Sequence, residues 1–295
     1  MSRRFTSILK PGLKITVSAG ALVFVFTRID FRDILETMAA SNIYLLIFAV
    51  LVFVFSKLIA AYRLNIIFRA INVELTALQN LKLYLLGMFY NLFLPGGVGG
   101  DGYKIYILSR RTDVKTTRIF WAVLLDRLNG VMAIVCLAVL LSYFITLETE
   151  MKFRWYIWAV VPVSITAFGY IVYRFFNDLY PALFRTILLS FLVQISQLFS
   201  VYLIFMAIGG DSEVFEYLLV FLVSSLVAMI PVSIGGAGLR ELTFLYGARM
   251  MFLNVNMSVT LSLMFYFMTL FVSLWGIYYG IRTNEVFSTH EINPS

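Results

Sequence analysis

Long apolar runs, separated by short polar segments, dominate the hydrophobic pattern of this chain. A helix rises about 1.5 Å per residue, so about 20 apolar residues cross the roughly 30 Å of hydrocarbon in a bilayer. Six runs approach or exceed that length, at residues 12–28, 43–62, 119–147, 155–174, 185–208 and 257–281. We therefore predict an all-α polytopic membrane protein with about six full transmembrane helices, in one transmembrane domain over residues 1–295.

The first run follows several basic residues, as the apolar part of a signal peptide does. A small-x-small cleavage site is not evident before Arg28, so we expect this first helix to be retained rather than removed.

Two further apolar stretches are short for a span, and each runs into a proline. Residues 81–94 end at Pro95 and residues 217–230 end at Pro231, and a glycine cluster follows each proline. Broken backbone at membrane depth is tolerated only where protein or a wet cavity satisfies its polar groups. We therefore predict two re-entrant helical hairpins, within repeat units at residues 81–118 and 213–254.

The two glycine clusters share one motif. Residues 95–104 read PGGVGGDGYK and residues 231–240 read PVSIGGAGLR, so both fit P-x-x-[VI]-G-G-x-G-x-[KR]. Three predicted spans separate the copies, and an odd number of crossings turns the second copy upside down. The hairpins are therefore predicted to form an inverted repeat, as in transporters whose broken helices meet near the bilayer midplane.

Each motif also predicts an anion site. A helix that starts after the glycines presents unpaired amides and the positive end of its dipole, which suit a phosphate group. Glycine and proline clusters also serve tight packing and kinks, and that alternative stays open. The candidate residues are Pro95, Gly96, Gly97, Gly99, Gly100, Asp101, Gly102 and Lys104 in the first copy, and Pro231, Gly235, Gly236, Gly238, Arg240 and Glu241 in the second.

Composition excludes an ordinary soluble domain. Apolar residues make up 61% of the chain and charged residues 13%, against about 45–50% and about 25% in soluble domains. The net charge of +7 is spread beside the apolar runs, which suits lipid headgroups and not nucleic acid. With both termini cytoplasmic, fifteen basic residues lie inside and six outside, as the positive-inside rule requires of an inner or plasma membrane protein.

Several polar residues fall inside the predicted spans. Asp126 and Arg127 are a candidate proton carrier and phosphate ligand, or else a structural ion pair, and Asp126 could orient Lys104. Lys57 is expected to snorkel towards an interface, and Gln194 and Gln197 to hydrogen-bond between helices.

The role of each carboxylate in the motifs is open as well. Asp101 would repel phosphate unless it is paired or protonated, and it could instead cap the following helix. Glu241 could simply satisfy the dipole of its helix.

No catalytic centre is evident in the sequence. His290 is the single histidine and Cys136 the single cysteine, so an internal disulfide is excluded and a metal cluster is not expected. Nucleophile and base do not occur at a recognisable spacing. We therefore expect no cofactor, no bound metal and a transporter rather than an enzyme.

At these motifs the chain resembles the lysylphosphatidylglycerol synthase transmembrane family, also called flippase-like or UPF0104 proteins. The resemblance rests on NLFLPGGVGGD at 91–101, DRL at 126–128 and PVSIGGAGLRE at 231–241, with Arg63 similar to an arginine late in an early span. It implies a polytopic bundle with two re-entrant hairpins that translocates lipid headgroups. The functional positions it implies are Arg63, Asp101, Lys104, Asp126, Arg127, Arg240 and Glu241.

Members of that family with a fused soluble aminoacyl transferase domain make the lysyl lipid. We expect the resemblance not to extend to that synthesis, since this chain stops at Ser295, and a separate soluble transferase is a candidate partner.

Three functions follow as hypotheses. The first is a flippase-like carrier that binds the phosphate headgroup of an anionic or polyprenyl-phosphate-linked lipid between the two half-helix N-termini. The alternative is a membrane-embedded transferase acting on a lipid phosphate, with Asp101, Asp126 or Glu241 as base. The third is a non-catalytic subunit that binds lipid and recruits a partner, which the short loops disfavour.

Overall fold

The computed structural model of the chain describes residues 23, 27, 31–93, 99–145, 155–230, 233 and 235–281. Within these residues it contains α-helices and no β-strand. The ten α-helices of these residues are α1 (Phe31–Ala39), α2 (Ile43–Ala70), α3 (Ala77–Phe93), α4 (Gly99–Arg111), α5 (Thr116–Phe144), α6 (Trp155–Phe175), α7 (Tyr180–Ala207), α8 (Val214–Ala228), α9 (Leu239–Met250) and α10 (Val255–Ile281), and a short 3-10 helix, Asn177–Leu179, precedes α7.

Four of the six predicted spans correspond to helices that are long and apolar enough to cross a membrane, namely α2, α5, α7 and α10. The predicted span at 155–174 is helix α6, whose described apolar part, Ala159–Phe175, is shorter. The predicted span at 12–28 lies outside the described residues except for Val23 and Thr27. The all-helical membrane class is therefore confirmed, with four spans supported by length and composition.

Helix α2 extends eight residues beyond its predicted end at residue 62. The hydrophobic pattern weakens there because Arg63 and Asn65 interrupt it, yet both side chains are buried. The Asn65 Nδ2 donates to the carbonyl oxygen of Leu75 at 3.4 Å, and Arg63 forms an ion pair with Asp126. Because protein groups satisfy these side chains, the helix continues without exposing them to lipid.

A new helix begins within each glycine motif, as predicted. Helix α3 ends at Phe93 and α4 begins at Gly99, while α8 ends at Ala228 and α9 begins at Leu239. In each case the two helices pack against one another. We call α3 with α4 the first helix pair, and α8 with α9 the second.

The outer ends of the first helix pair lie together, at the end of α2. Ile71 and Leu75, which connect α2 to α3, share one apolar cluster with Leu108 near the end of α4 and Ile119 near the start of α5. The chain therefore enters and leaves the first helix pair at the same end of the protein.

The outer ends of the second helix pair lie at the opposite end of α2. The backbone N–H of Asn42, just before α2, donates to the carbonyl oxygen of Ala207 at the end of α7, at 2.9 Å. The Asn256 Nδ2 at the start of α10 donates to an Asp33 carboxylate oxygen at 3.1 Å. Since α8 follows α7 and α9 precedes α10, the two helix pairs start from opposite ends of the long helix α2.

Helix contacts between the two halves are reciprocal. Helices α2 and α7, each of which precedes a helix pair, pack along one another. Helix α5, which follows the first pair, packs on α8 of the second, and α10, which follows the second pair, packs on α3 of the first. Each helix pair is therefore packed against the long helix that follows the other pair.

The break of the second helix pair touches the end of α3 in the middle of this arrangement. A Cβ atom placed on Gly235 would lie 2.9 Å from the carbonyl oxygen of Leu92 and 2.7 Å from its Cδ1. Gly235 has φ +58°, a conformation that glycine adopts without the cost that a side chain would impose. The glycine segment before α9 therefore packs directly on the end of α3.

Candidate functional site

A cavity of about 320 Å³ lies beside the contact between Gly235 and the end of α3. Helices α2, α3, α4, α5, α7, α8, α9 and α10 all contribute to its wall. Its charged lining residues are the cations Lys57, Arg63, Lys104, Arg127 and Arg240 and the carboxylates Asp101 and Asp126.

The cavity lies at the middle of the four long apolar helices. Lys57 in α2, Gly130 in α5, Gln194 in α7 and Thr269 in α10 all line it, and each lies within about one residue of the midpoint of its helix. Lys57 is therefore about as far as possible from both ends of α2, and the cavity lies near the middle of all four helices. In a bilayer this is the depth at which charge is most costly.

Asp101 connects the first helix pair to α5. The Lys104 Nζ donates to Asp101 Oδ1 at 3.1 Å, and the Arg127 Nε donates to Asp101 Oδ2. The structure therefore favours the paired interpretation of Asp101 over a helix cap. The backbone N–H of Gly100 is instead capped by the side chain of Asn91, whose Oδ1 accepts it at 2.9 Å.

Asp126 forms a second ion pair, with Arg63. The Arg63 Nε donates to Asp126 Oδ1 at 2.8 Å, and the Arg63 Nη1 donates to the Ser190 hydroxyl at 2.8 Å. Asp126 therefore pairs with Arg63 and not with Lys104, whose ammonium group donates to Asp101. Arg63 thereby joins α2, α5 and α7 through a single buried side chain.

Lys57 and Arg240 differ from the other cations of the cavity. Neither is within ion-pair distance of a carboxylate among the residues that the structure describes. The Lys57 Nζ lies 4.3 Å from the centre of the Phe53 ring, and the Arg240 guanidinium 4.9 Å from that of Phe265. The Arg240 Nη1 is shielded from solvent and has no hydrogen-bond partner within the described part of the chain.

The expectation that Lys57 snorkels to an interface is wrong. It assumed a helix ending near residue 62, where Lys57 would lie close to the polar boundary. Because α2 continues to Ala70, Lys57 is at mid-helix, and its side chain lines the cavity.

Glu241 lies at the start of α9 and serves the helix rather than the cavity. Its Oε2 accepts the backbone N–H of Gly238 at 2.7 Å, and its Oε1 accepts the Ser262 hydroxyl at 3.1 Å. The expectation that it satisfies the helix terminus is therefore met by these contacts.

The prediction that unpaired amides at the helix starts form the anion site needs correction, because side chains accept hydrogen bonds from two of these amides. The amides of Gly100 and Gly238 both donate to side chains of their own helix pair, Asn91 and Glu241. Positive charge in the cavity therefore comes chiefly from Lys and Arg side chains.

The predicted site residues fall into three groups. Arg63, Asp101, Lys104, Asp126, Arg127, Gly235 and Arg240 line the cavity. Gly99, Gly100, Gly102, Gly236, Gly238 and Glu241 belong to the helix starts beside it. Pro95, Gly96, Gly97 and Pro231 lie outside the described residues.

Sequence reasoning missed several polar lining residues. They are Tyr84, Asn91, Ser225, Thr269 and Ser273, while Lys57 was assigned to snorkelling and Gln194 and Gln197 to interhelical hydrogen bonding instead. A single lysine inside an apolar run is the signal that could have identified Lys57. In the part of the chain that the structure describes, His, Cys, Asp and Glu side chains do not form a group of three or more that could hold a metal ion.

Comparison with known proteins identifies similar chains. The sequence model described as the lysylphosphatidylglycerol synthase TM region matches residues 13–183 and 173–277. A UPF0104 membrane protein of Pyrococcus horikoshii is 22% identical, over 90% of this chain and 94% of the relative. A UPF0104 membrane protein of Methanothermobacter thermautotrophicus is 24% identical, over 75% of this chain and 79% of the relative.

Proposed function

Because this chain is an integral membrane protein of the lysylphosphatidylglycerol synthase TM family, we propose that it carries lipids across the membrane. The phosphate headgroup of an anionic or polyprenyl-phosphate-linked lipid binds in the central cavity, and the hydrocarbon chains stay in the bilayer.

The observation that carries this proposal is the charge of the cavity at mid-depth. Among the residues that the structure describes, five cations and two carboxylates line it. Placing one Lys or Arg at the centre of a membrane helix costs at least about 2.5–3.5 kcal/mol unless a partner compensates it. A protein that keeps more cations than carboxylates at this depth gains stability from an anion, and a phosphate headgroup supplies one.

The size of the cavity suits a headgroup and not a whole lipid. Its volume of about 320 Å³ is at the lower end of the range of about 300–1,000 Å³ found for small-molecule sites. A headgroup in this space would contact Lys and Arg side chains together with the neutral groups of Gln194, Gln197 and Ser225.

We infer further that the two helix pairs are re-entrant hairpins of opposite orientation. Their outer ends start from opposite ends of α2, and Gly235 in the second break touches Leu92 at the end of α3. Inverted hairpins around one central site allow each half to rock against the other, so that the site opens to one leaflet at a time.

The transferase alternative receives less support from the contacts. All three carboxylates proposed as its base are engaged, Asp101 and Asp126 in ion pairs and Glu241 with Gly238 and Ser262. A general base must be free to accept a proton from the substrate. We therefore retain the carrier as the proposed function.

Reconstitution into vesicles tests the carrier. Purified protein should accelerate the transbilayer movement of a labelled phospholipid or polyprenyl phosphate over protein-free vesicles, measured by the fraction of label accessible to an impermeant quencher. Arg240→Gln should lower the rate by about tenfold or more, since it removes a cation from the site.

Arg249→Gln is the matched control, because Arg249 lies on the same helix α9 but is exposed and outside the cavity. Its rate should equal that of the unmodified protein. Absence of acceleration across anionic phospholipids and polyprenyl phosphates alike would refute the proposed function.

A further inference from the structure

We propose that the headgroup carries at least two negative charges, as a phosphomonoester or pyrophosphate lipid does, rather than the single charge of a phosphodiester phospholipid. This inference rests on the proposed function and names the substrate class of the same cavity.

The ion pairs of the cavity leave an excess of positive charge. Asp126 compensates Arg63, and Asp101 is shared between Lys104 and Arg127. These ion pairs engage three of the five cations among the described lining residues and leave Lys57 and Arg240 without a carboxylate partner there. A phosphodiester adds one negative charge and leaves one of these two cations uncompensated at mid-depth, whereas a phosphomonoester or pyrophosphate lipid can compensate both.

Lys57 and Arg240 are the cavity cations with no carboxylate within ion-pair distance among the residues that the structure describes. The charges of Arg240 and Arg63 both act on the Lys57 ammonium and repel it. Their aromatic neighbours Phe53 and Phe265 offer about 0.5–2 kcal/mol of cation–π attraction, less than a buried ion pair supplies. An anionic group that contacts both side chains removes the repulsion and compensates both charges.

The chemistry of the two side chains suits phosphate oxygens. The Arg240 guanidinium is a planar fork that can bind two oxygens at once, and its Nη1 has no hydrogen-bond partner among the described residues. The Lys57 ammonium is a compact donor with three hydrogens. Together they can hold more than one phosphate oxygen, or one oxygen from each half of a pyrophosphate.

The same charges disfavour headgroups that contain amines. An ethanolamine group adds a positive charge to a cavity that already has an excess. A lysyl headgroup, with two ammonium groups, adds two, so this cavity fits lysylphosphatidylglycerol poorly despite the name of the family. Substrate preference is therefore expected to follow the net negative charge of the headgroup.

Binding to the full-length protein in phosphatidylcholine nanodiscs tests this order. The probes are farnesyl pyrophosphate, farnesyl phosphate, phosphatidylglycerol, lysylphosphatidylglycerol and free pyrophosphate, with farnesol as the control for hydrocarbon partitioning. Dissociation constants and the shift of the thermal midpoint Tm are measured for each. We expect farnesyl pyrophosphate to bind about tenfold or more tightly than phosphatidylglycerol, and lysylphosphatidylglycerol to bind no better than farnesol.

Lys57→Gln and Arg240→Gln should each reduce the preference for farnesyl pyrophosphate over phosphatidylglycerol by about tenfold. Neither substitution removes the partner of a carboxylate, so the Tm of the ligand-free protein should not fall. Lys115→Gln and Arg249→Gln are matched controls at exposed positions outside the cavity and should keep the preference.

The outcomes separate this inference from the proposed function. Equal affinity for phosphatidylglycerol and farnesyl pyrophosphate would overturn the inference and leave an anionic-lipid carrier standing. Farnesyl probes and phospholipids that bind no better than farnesol would overturn both. Free pyrophosphate binding as tightly as farnesyl pyrophosphate would support the polyanionic class and overturn a lipid as its source.

Discussion

Buried charges in this protein divide into paired and unpaired side chains with different consequences. The pairs of Arg63 with Asp126 and of Asp101 with Arg127 join residues from different helices, and Lys104 pairs with Asp101 within α4. Such pairs hold helices in register because loss of one partner leaves an uncompensated charge. Lys57 and Arg240 have no carboxylate partner among the described residues, so they add nothing comparable to the fold and are available to a ligand.

Breaking the pair between Arg63 and Asp126 should destabilise the protein. In Asp126→Asn the Arg63 guanidinium remains buried but loses its counter-charge. Removing one partner of a buried ion pair lowers the free energy of unfolding by about 3–5 kcal/mol. The measurement is the thermal unfolding midpoint of the variant and the unmodified protein in the same detergent, where we expect a clear decrease.

The ion pair of Arg118 with Asp178 provides the control. Its side chains are 48% and 58% exposed, against 7% and 12% for Arg63 and Asp126. Exposed pairs contribute about 0–1 kcal/mol, so Asp178→Asn should change the midpoint little. Equal losses in the two variants would show that Asp126 is not held as a buried ion pair.

At the scale of helices, glycine decides how closely the first helix pair packs. A Cβ atom on Gly100 of α4 would lie 1.9 Å from the carbonyl oxygen of Gly87 in α3. That separation is far below van der Waals contact, and the obstacle is backbone, which cannot rotate away. The side chains of Lys104 and Asp101 reach the cavity from α4, so their placement depends on this close approach.

Gly100→Ala should therefore separate α3 from α4, whereas Gly102→Ala should not. A Cβ atom on Gly102 meets nothing within 4 Å, and alanine in a helix is favoured over glycine by about 0.5–1 kcal/mol. Thermal midpoints and the yield of monodisperse protein measure the difference. We expect loss of both in Gly100→Ala, and equal behaviour of the two variants would contradict the close packing of this pair.

At the scale of the whole molecule, two units exchange contacts around one cavity. The first helix pair starts at the C-terminal end of α2 and the second at its N-terminal end. Since α2 is 28 residues long, its two ends are about 40 Å apart, enough to reach both membrane surfaces. The proposed carrier mechanism depends on this opposition, because a site between inverted hairpins can be reached from either leaflet.

Cysteine labelling tests that opposition. In a background lacking Cys136, single substitutions Glu74→Cys and Asp113→Cys flank the first helix pair, and Asp211→Cys and Arg249→Cys flank the second, all at exposed positions. An impermeant thiol reagent added to one side of sealed vesicles should modify the first two together, and the last two only from the other side. Labelling of residues 74 and 113 from opposite sides would make the first helix pair a full crossing.

The hydrophobic pattern by itself determined the membrane class, the positions of four spanning helices and the two interruptions. The length of an apolar run and the conformational limits of proline and glycine are local properties of the chain. They can therefore be read directly from the sequence. Arg127 was identified because an ionisable group inside an apolar run is costly and therefore conspicuous. Lys104 and Arg240 were identified because each ends a copy of the repeated motif, and Arg63 through the family resemblance.

Only the tertiary structure decided which charges compensate one another and which do not. Asp126 pairs with Arg63, 63 residues away, and Asp101 with Arg127, 26 residues away, and periodicity holds no information about such distances. The depth of Lys57 likewise depended on where α2 ends. Because other helices bury Arg63 and Asn65, α2 continues to Ala70 and Lys57 lies at its middle. Coulomb attraction falls with the separation of two groups in space and not along the chain, so the cavity and its excess of positive charge emerge only when the helices pack.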